Sequence, residues 1–351
     1  MALRLAKRIR VKAWPKLLPI TIVVLLLVKP PLWAQEVIVL AGLDETIAWL
    51  KAENWWGEEK RDEQLTVPHV MIVAISERWQ KNAPKLPVVT KKEIFYRFML
   101  PLVMHANTMV MDRRERLQRL KATVVGGRAL SAEDDVWLRE IAVILRVANR
   151  EEINKMKDSA ELRKVIDQAL YRLDVIPAGL VLGQAAYESG YGTSRFAIKG
   201  NALFGQWAFG GQGLIPEQQR KKLGDHRIAS FEWPFDSVRG YFINLSSHPA
   251  YEDFRRLRAK LKATGKPMSS IELAEGLKSY SERGQAYVDS LKSIIRVNHL
   301  NIADNAVFRD EPMRFVLGAA DQAAAARLRS DIEAMRKSGE LGQILERMRL
   351  E

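Results

Sequence analysis

A chain of 351 residues, 47% hydrophobic and 28% charged, is apolar enough to fold and long enough for about two domains. The absence of cysteine removes disulfide frameworks, thiolate zinc sites, iron–sulfur clusters and cysteine nucleophiles together. The formal charge of +13 is concentrated at one end: residues 1–34 hold seven cations and no acid, leaving 48 basic against 42 acidic residues, or +6, beyond them.

A net +6 without a basic stripe or a helix-turn-helix suits an anionic polymer and does not point to nucleic acid. The five histidines contain no H-E-x-x-H pattern, Gly265-Lys266 lacks the rest of a phosphate loop, and Gly211-Gln-Gly213 fails the dinucleotide spacing. No metal and no cofactor are expected.

Six cations lead into the apolar run Leu17 to Val28, followed by Lys29-Pro-Pro-Leu-Trp-Ala34. Twelve helical residues span about 18 Å, short of a ~30 Å hydrocarbon core. Residues 1–34 therefore read as a secretory signal cleaved after Ala34, or, since Lys29 and Leu32 fit a cleavage site imperfectly, as an uncleaved anchor in the inner membrane. Both readings export the remainder to the periplasm, and only the second gives it a membrane contact.

Residues 35–165 read as helical. The positions Ile94, Phe95, Phe98, Leu102 and Val103 recur at helical spacing, Gly126-Gly127 ends that helix, and Ser131 and Ser159 start the next ones. Between residues 187 and 254 lie thirteen of the 28 aromatics, with glycines interleaved up to Gly213. That mixture fits a sugar-binding cleft and fits a small aromatic core under loops equally well.

The sharpest stretch is Ile176-Pro-Ala-Gly-Leu-Val-Leu-Gly-Gln-Ala-Ala-Tyr-Glu188-Ser-Gly-Tyr-Gly192. Apolar on nearly every side, it predicts a buried helix begun at Pro177 and stopped by Gly190 or Gly192. Glu188 falls in its last turn, where burial and the negative end of the helix dipole both raise a carboxyl pKa. A carboxyl kept protonated near neutral pH is what donating a proton to a glycosidic oxygen requires. The alternative is a Glu188 that only caps or pairs with Arg195.

The segment Gln184-Ala-Ala-Tyr-Glu-Ser-Gly-Tyr-Gly-Thr-Ser-Arg-Phe-Ala197, followed by Gly200-Asn-Ala-Leu-Phe-Gly205, resembles the signature of bacterial cell-wall glucosaminidases, glycoside hydrolase family 73. The resemblance continues through Phe231–Tyr251, Leu277–Glu282 and Tyr287. The upstream Leu100-Pro-Leu-Val-Met-His-Ala-Asn107 is similar to the bax-like proteins that contain this domain.

The resemblance implies a mostly helical α+β protein: a lysozyme-like helical lobe with a small β-rich flap over 166–302, preceded by a helical N-terminal region. It implies a peptidoglycan hydrolase cleaving glycan strands after N-acetylglucosamine, with Glu188 as general acid. Asn201, Leu203 and Phe204 would line the cleft floor, with Tyr191, Tyr251 and Tyr280 as aromatic substrate contacts; for Leu203 and Phe204 packing is an equal alternative. Hydrolysis by two carboxyls needs a partner ~5 Å away for retention or ~6.5–9.5 Å for inversion. Glu217 in Gly213-Leu-Ile-Pro-Glu217 is the favoured partner, with Asp225, Glu232 and Asp236 also available.

Two other outcomes stay open: a lytic transglycosylase, and a non-catalytic peptidoglycan-binding or envelope-regulatory module. Residues 303–351 read as a helical tail, similar to the last helices of extracellular solute-binding proteins or simply a packing pair.

Overall fold

The structure, a computed structural model, describes residues 36–57, 64–74, 85–156, 158–208, 214 and 227–350. The N-terminal leader, Glu217 and Asp225 lie outside the described residues. No helix among the described residues is long and apolar enough to cross a membrane.

The fold is α+β and mostly helical. It corrects the reading of both flanks as wholly helical. Strands β1 (Val37–Ala41), β2 (Thr66–Val67) and β3 (Val70–Ala74) precede the first long helix, and β6 (Val307–Phe308) and β7 (Arg314–Ala319) follow the central region. β7 is the middle strand of a parallel sheet in the order β1-β7-β3, with Val37 opposite Phe315 and Met71 also opposite Phe315. The runs Val-Ile-Val-Leu-Ala and Val-Met-Ile-Val-Ala are short and continuously apolar, as strands covered on both faces are. Such runs cannot be told from buried helix by periodicity. Helix α1 (Gly42–Ala52) follows β1 directly, and its Trp49–Glu53 end is tied to the far end of the chain by Arg314, which forks onto Glu53 at 2.7 and 2.8 Å.

Helix α2 (Val88–Val125) is 38 residues long, about 57 Å. Its residues from Ile94 to Ala106 are all buried, because this stretch is apolar around its whole circumference and packs on the sheet and on several helices. Pro101 lies inside it and cannot donate to the Arg97 carbonyl one turn back. The Trp55 indole donates to that carbonyl instead, at 3.3 Å, while the Arg97 guanidinium lies 4.8 Å from the Trp55 ring. Gly126 caps the helix, as the Gly-Gly pair predicts.

Helices α3 (Ala132–Ile144), α4 (Arg150–Lys155) and α5 (Ser159–Arg172) follow. Ser131 caps α3 through the Asp134 amide, whereas the cap position of α5 is Asp158, one residue ahead of the expected serine. The last carbonyls of α5 are covered by buried Arg258, which donates to the Arg172 carbonyl at 2.6 Å and the Asp174 carbonyl at 3.0 Å. A cation there complements the helix dipole and fixes where the chain enters the next helix.

That helix, α6 (Ala178–Ser189), is the axis of the central domain. Asp304 receives its Gly179 amide at 2.9 Å and the Ser270 amide at 2.8 Å, joining two helix starts. Short α7 (Arg195–Gly200) leads to a two-stranded antiparallel ladder of β4 (Trp207–Ala208) and β5 (Arg227–Ile228), bridged also by Leu214. Helices α8 (Pro234–Ser247), α9 (Glu252–Ala263), α10 (Ser270–Leu273) and α11 (Gln285–Val297) follow, with 3₁₀ turns at Pro249–Tyr251, Ala274–Tyr280 and Leu300–Asn305; α10, α11 and the last of these turns pack on α6. After β7 the chain ends in α12 (Gln322–Ser338) and α13 (Glu340–Leu350).

Candidate active site

The site is built on the C-terminal end of α6. The sequence Ala-Gly-Leu-Val-Leu-Gly-Gln-Ala-Ala buries every residue to Ala186, and Gly183 lets α11 approach closely: a Cβ there would stand 2.9 Å from the Ile295 side chain. That contact brings Tyr287 of α11 beside the last two turns of α6. Gly190, at φ 56 and ψ 46, ends the helix in the left-handed conformation. The Ser189 hydroxyl then accepts the Gly192 amide at 2.8 Å and donates to the Ala185 carbonyl, tying down the turn that follows.

Glu188 is half-buried in this last turn. Burial pushes its carboxyl pKa upward, and a hydrogen bond from Tyr287 Oη to Oε1 at 2.9 Å opposes the rise; the net direction is up. Oε2 lies against Gly205, where a Cβ would sit 3.7 Å away. Gly205 has φ +59, so both its backbone and the space over the carboxyl favour glycine. Arg195 does not pair with Glu188: its guanidinium lies 5.1 Å from the Phe196 ring, and the hydrogen-bond partner of Glu188 is Tyr287.

An aromatic wall surrounds the carboxyl. Tyr280 and Tyr287 stack with ring centroids 5.7 Å apart and planes within 9°, Tyr251 leans on Tyr280 at 5.7 Å, and Tyr187 meets Tyr287 edge-on at 5.2 Å. Burial raises the phenol pKa of Tyr241, Tyr251, Tyr280 and Tyr287, so all four remain proton donors at neutral pH. Tyr187, Tyr251 and Tyr280 keep part of their surface in solvent beside the half-exposed acid.

Other expected contacts have internal duties. The Phe204 ring is 1% exposed and stacks on Tyr241 at 4.2 Å, and Leu203 is equally buried. This corrects the expectation that Phe204 touches substrate: it has no free face to offer, and it supports the floor from beneath, its carbonyl accepting from Tyr280 Oη at 2.9 Å. Asn201 adopts a left-handed conformation at φ 48 and spends its amide on the Phe231 and Glu232 carbonyls, both at 3.1 Å, so it latches the loop before α8. Tyr191 packs edge-on against Phe95 and Tyr96 of α2, with Lys91 and Lys92 over its ring, and thus joins the turn after Glu188 to the N-terminal region.

Of the candidate second carboxylates, Asp236 is engaged by Arg239 at 2.8 Å and by the Trp233 amide, and Glu232 is exposed. Among the described residues, burial and Tyr287 are the influences that move Glu188, and no described acid is among them. No group of three or more His, Asp or Glu side chains is placed to hold a metal among the described residues. The residues that sequence reasoning left out are Gln184, Tyr241 and Tyr287. Gln184 did carry a signal: it is the one polar residue in the buried stretch, one helical turn before Glu188 and on the same face.

The site is thus a half-buried acid at the end of a buried helix, walled by tyrosines, on a helical α+β domain. Residues 164–300 match the family model described as glucosaminidase, mannosyl-glycoprotein endo-beta-N-acetylglucosaminidase. The chain is also 35% identical over 150 residues to Protein bax of Escherichia coli (strain K12), an alignment covering 42% of this chain and 53% of that protein, so the chain spans about half the length of the curated relative it matches. No solved structure matches it. Together the two matches support a bax-like protein with a glucosaminidase domain at residues 164–300. At the family level this supports a glycosidase-type enzyme with a glycan substrate such as peptidoglycan.

Proposed function

We propose that the domain hydrolyses peptidoglycan glycan strands after N-acetylglucosamine, in the periplasm, with Glu188 as the general acid. The observation that supports this reading is the environment of Glu188: desolvated so that its pKa is raised, open beside Gly205 on the side of Oε2, and without an arginine clamp among the described residues. The acid gives its proton to the leaving oxygen as the bond to the anomeric carbon breaks. Glu217 then activates the water that attacks from the other side, and the half-exposed Tyr251 and Tyr280 rings present faces on which sugars stack.

A second reading, lytic transglycosylase, is favoured by one observation: the described flap acids are exposed or already paired, and a transglycosylase works with a single acid. The two differ in product. Hydrolysis leaves a reducing end, whereas intramolecular attack by the substrate's own hydroxyl leaves an anhydro ring. Mass analysis of digested cell wall distinguishes them, and a non-catalytic binding module would yield neither. Glu188→Gln keeps the shape and removes the proton; cleavage should fall by ~10²–10⁴-fold, the usual reach of general acid catalysis. Wild-type rates from that variant would refute the assignment.

A further inference from the structure

The polar atoms behind Glu188 form one directed chain. Tyr241 Oη donates to Gln184 Oε1, Gln184 Nε2 donates to Tyr287 Oη at 2.8 Å, and Tyr287 Oη lies 2.9 Å from Glu188 Oε1. A phenol has one proton to give, and a primary amide has one accepting oxygen, so the chain has a polarity. With Gln184 Nε2 giving to Tyr287, the Tyr287 proton points to Glu188. With the amide turned over, Gln184 Oε1 would take that proton and Glu188 would lose its donor.

Tyr241 decides between the two. It is fully buried, its ring is held by stacking on Phe204, and its hydroxyl has Gln184 as its hydrogen-bond partner. Turning the amide over would leave the Tyr241 proton without an acceptor in the interior, which is the costly state for a buried hydroxyl. Gln184 is itself 0% exposed, so water cannot compensate for either arrangement.

We propose that Gln184 and Tyr241 are positioning residues: they hold Tyr287 as a donor to Glu188 Oε1 and so reserve Oε2, the oxygen beside Gly205, for the acidic proton. The inference rests on the reading of Glu188 as the acid. It adds which of the two oxygens is the acid, and which side chains two and three bonds back in the chain choose it.

Among the described residues, the titratable groups facing Glu188 are Tyr287 from α11, Tyr241 from α8, and Tyr251 and Tyr280 from the first two 3₁₀ turns; no described Lys or Arg is among the groups that shift it. A donor to Oε1 favours the ionised carboxyl, so turning the Gln184 amide over, which takes that donor away, moves Glu188 titration to higher pH.

The test uses the full chain with carboxyl-labelled glutamate, the Glu188 signal being identified by its loss in Glu188→Gln. Glu188 is then titrated by carbon NMR in the wild type, Gln184→Met and Tyr241→Phe. The expected result is a midpoint higher by about half a pH unit in Tyr241→Phe, where the freed amide can turn over and take the Tyr287 proton, a roughly threefold change in ionisation constant, with the alkaline limb of glycan cleavage moving up in step; Gln184→Met, which leaves Tyr287 no acceptor but Glu188, should keep the wild-type midpoint. Tyr241→Phe removes one oxygen and leaves the amide free to turn, and the fold of both variants is checked by circular dichroism. An unmoved midpoint in folded Tyr241→Phe overturns the proposal. A shifted midpoint in Tyr241→Phe of a protein that cleaves no glycan would uphold the chain and sink the hydrolase reading; cleavage that depends on Glu188, with that midpoint unmoved, would do the reverse.

Discussion

At Glu188 two opposed effects meet: burial favours the neutral carboxyl, and the Tyr287 hydroxyl favours the ionised one. Burial wins, so the folded protein holds this proton more tightly than the unfolded chain, whose carboxyl titrates near 4.5. The sign for stability follows from linkage. A group whose folded pKa is raised contributes fully below the unfolded pKa, and its contribution is lost as pH rises through the folded value. Glu188→Gln should therefore melt at a higher temperature than the wild type at pH 7, and the gap should close as pH drops below about 4.5, where both states of the wild type are protonated. Melting curves across pH check this; a gap constant across pH would show that the acid is not strained by its surroundings. Stability given up at a buried acid is the cost of holding its proton in place.

The element that fixes where this acid points is the turn after α6. Gly190, Tyr191 and Gly192 are all left-handed, at φ 56, 59 and 74. Three such residues in a row hold only because the surroundings determine them: Ser189 accepts the Gly192 amide, and Phe95 of α2 covers Gly192, where a Cβ would meet its ring at 3.4 Å. Tyr191 completes the contact with Phe95 at 5.8 Å. Gly192→Ala combines a disfavoured φ with a crowded side chain. It should lose ~1–2 kcal/mol in urea unfolding from the backbone alone, and more if Phe95 has to move. A variant as stable as the wild type would mean that α2 does not brace this turn.

For the whole molecule, the parallel sheet makes both chain ends one structure. β1 and β3 each pair with β7, and Val316 in that central strand is 0% exposed. The flanks therefore cannot be removed without stripping two strands of their partner and exposing unpaired edges. Deleting residues 306–350 leaves the whole matched domain intact, yet it should abolish the cooperative melt of the N-terminal region and lower soluble yield. A truncated chain with the wild-type melting profile would show the flanks to be dispensable. The contact of α2 with the turn after Glu188 carries the same consequence to the site, so the truncated protein should also cleave glycan more slowly if it cleaves at all.

Reading the chain alone was enough for whatever depends on local pattern. The apolar run from Ala178 to Ala186 dictated a buried helix, the glycines after Ser189 dictated its end, and a carboxylate at that position had to feel burial; the Ser131 cap and the Gly126 stop were legible for the same reason. What depends on distant partners was not. Short, mostly apolar strands of five or six residues carry no period that separates them from helix, so Val37–Ala41 and Arg314–Ala319, some 280 residues apart in sequence, declare themselves only when paired. The hydrogen-bond chain through Gln184 and Tyr241, and the burial of the Phe204 ring, likewise exist only once α8 and α11 close on α6. Periodicity is a property of neighbours along the chain, and the partner of a polar atom is a property of neighbours in space.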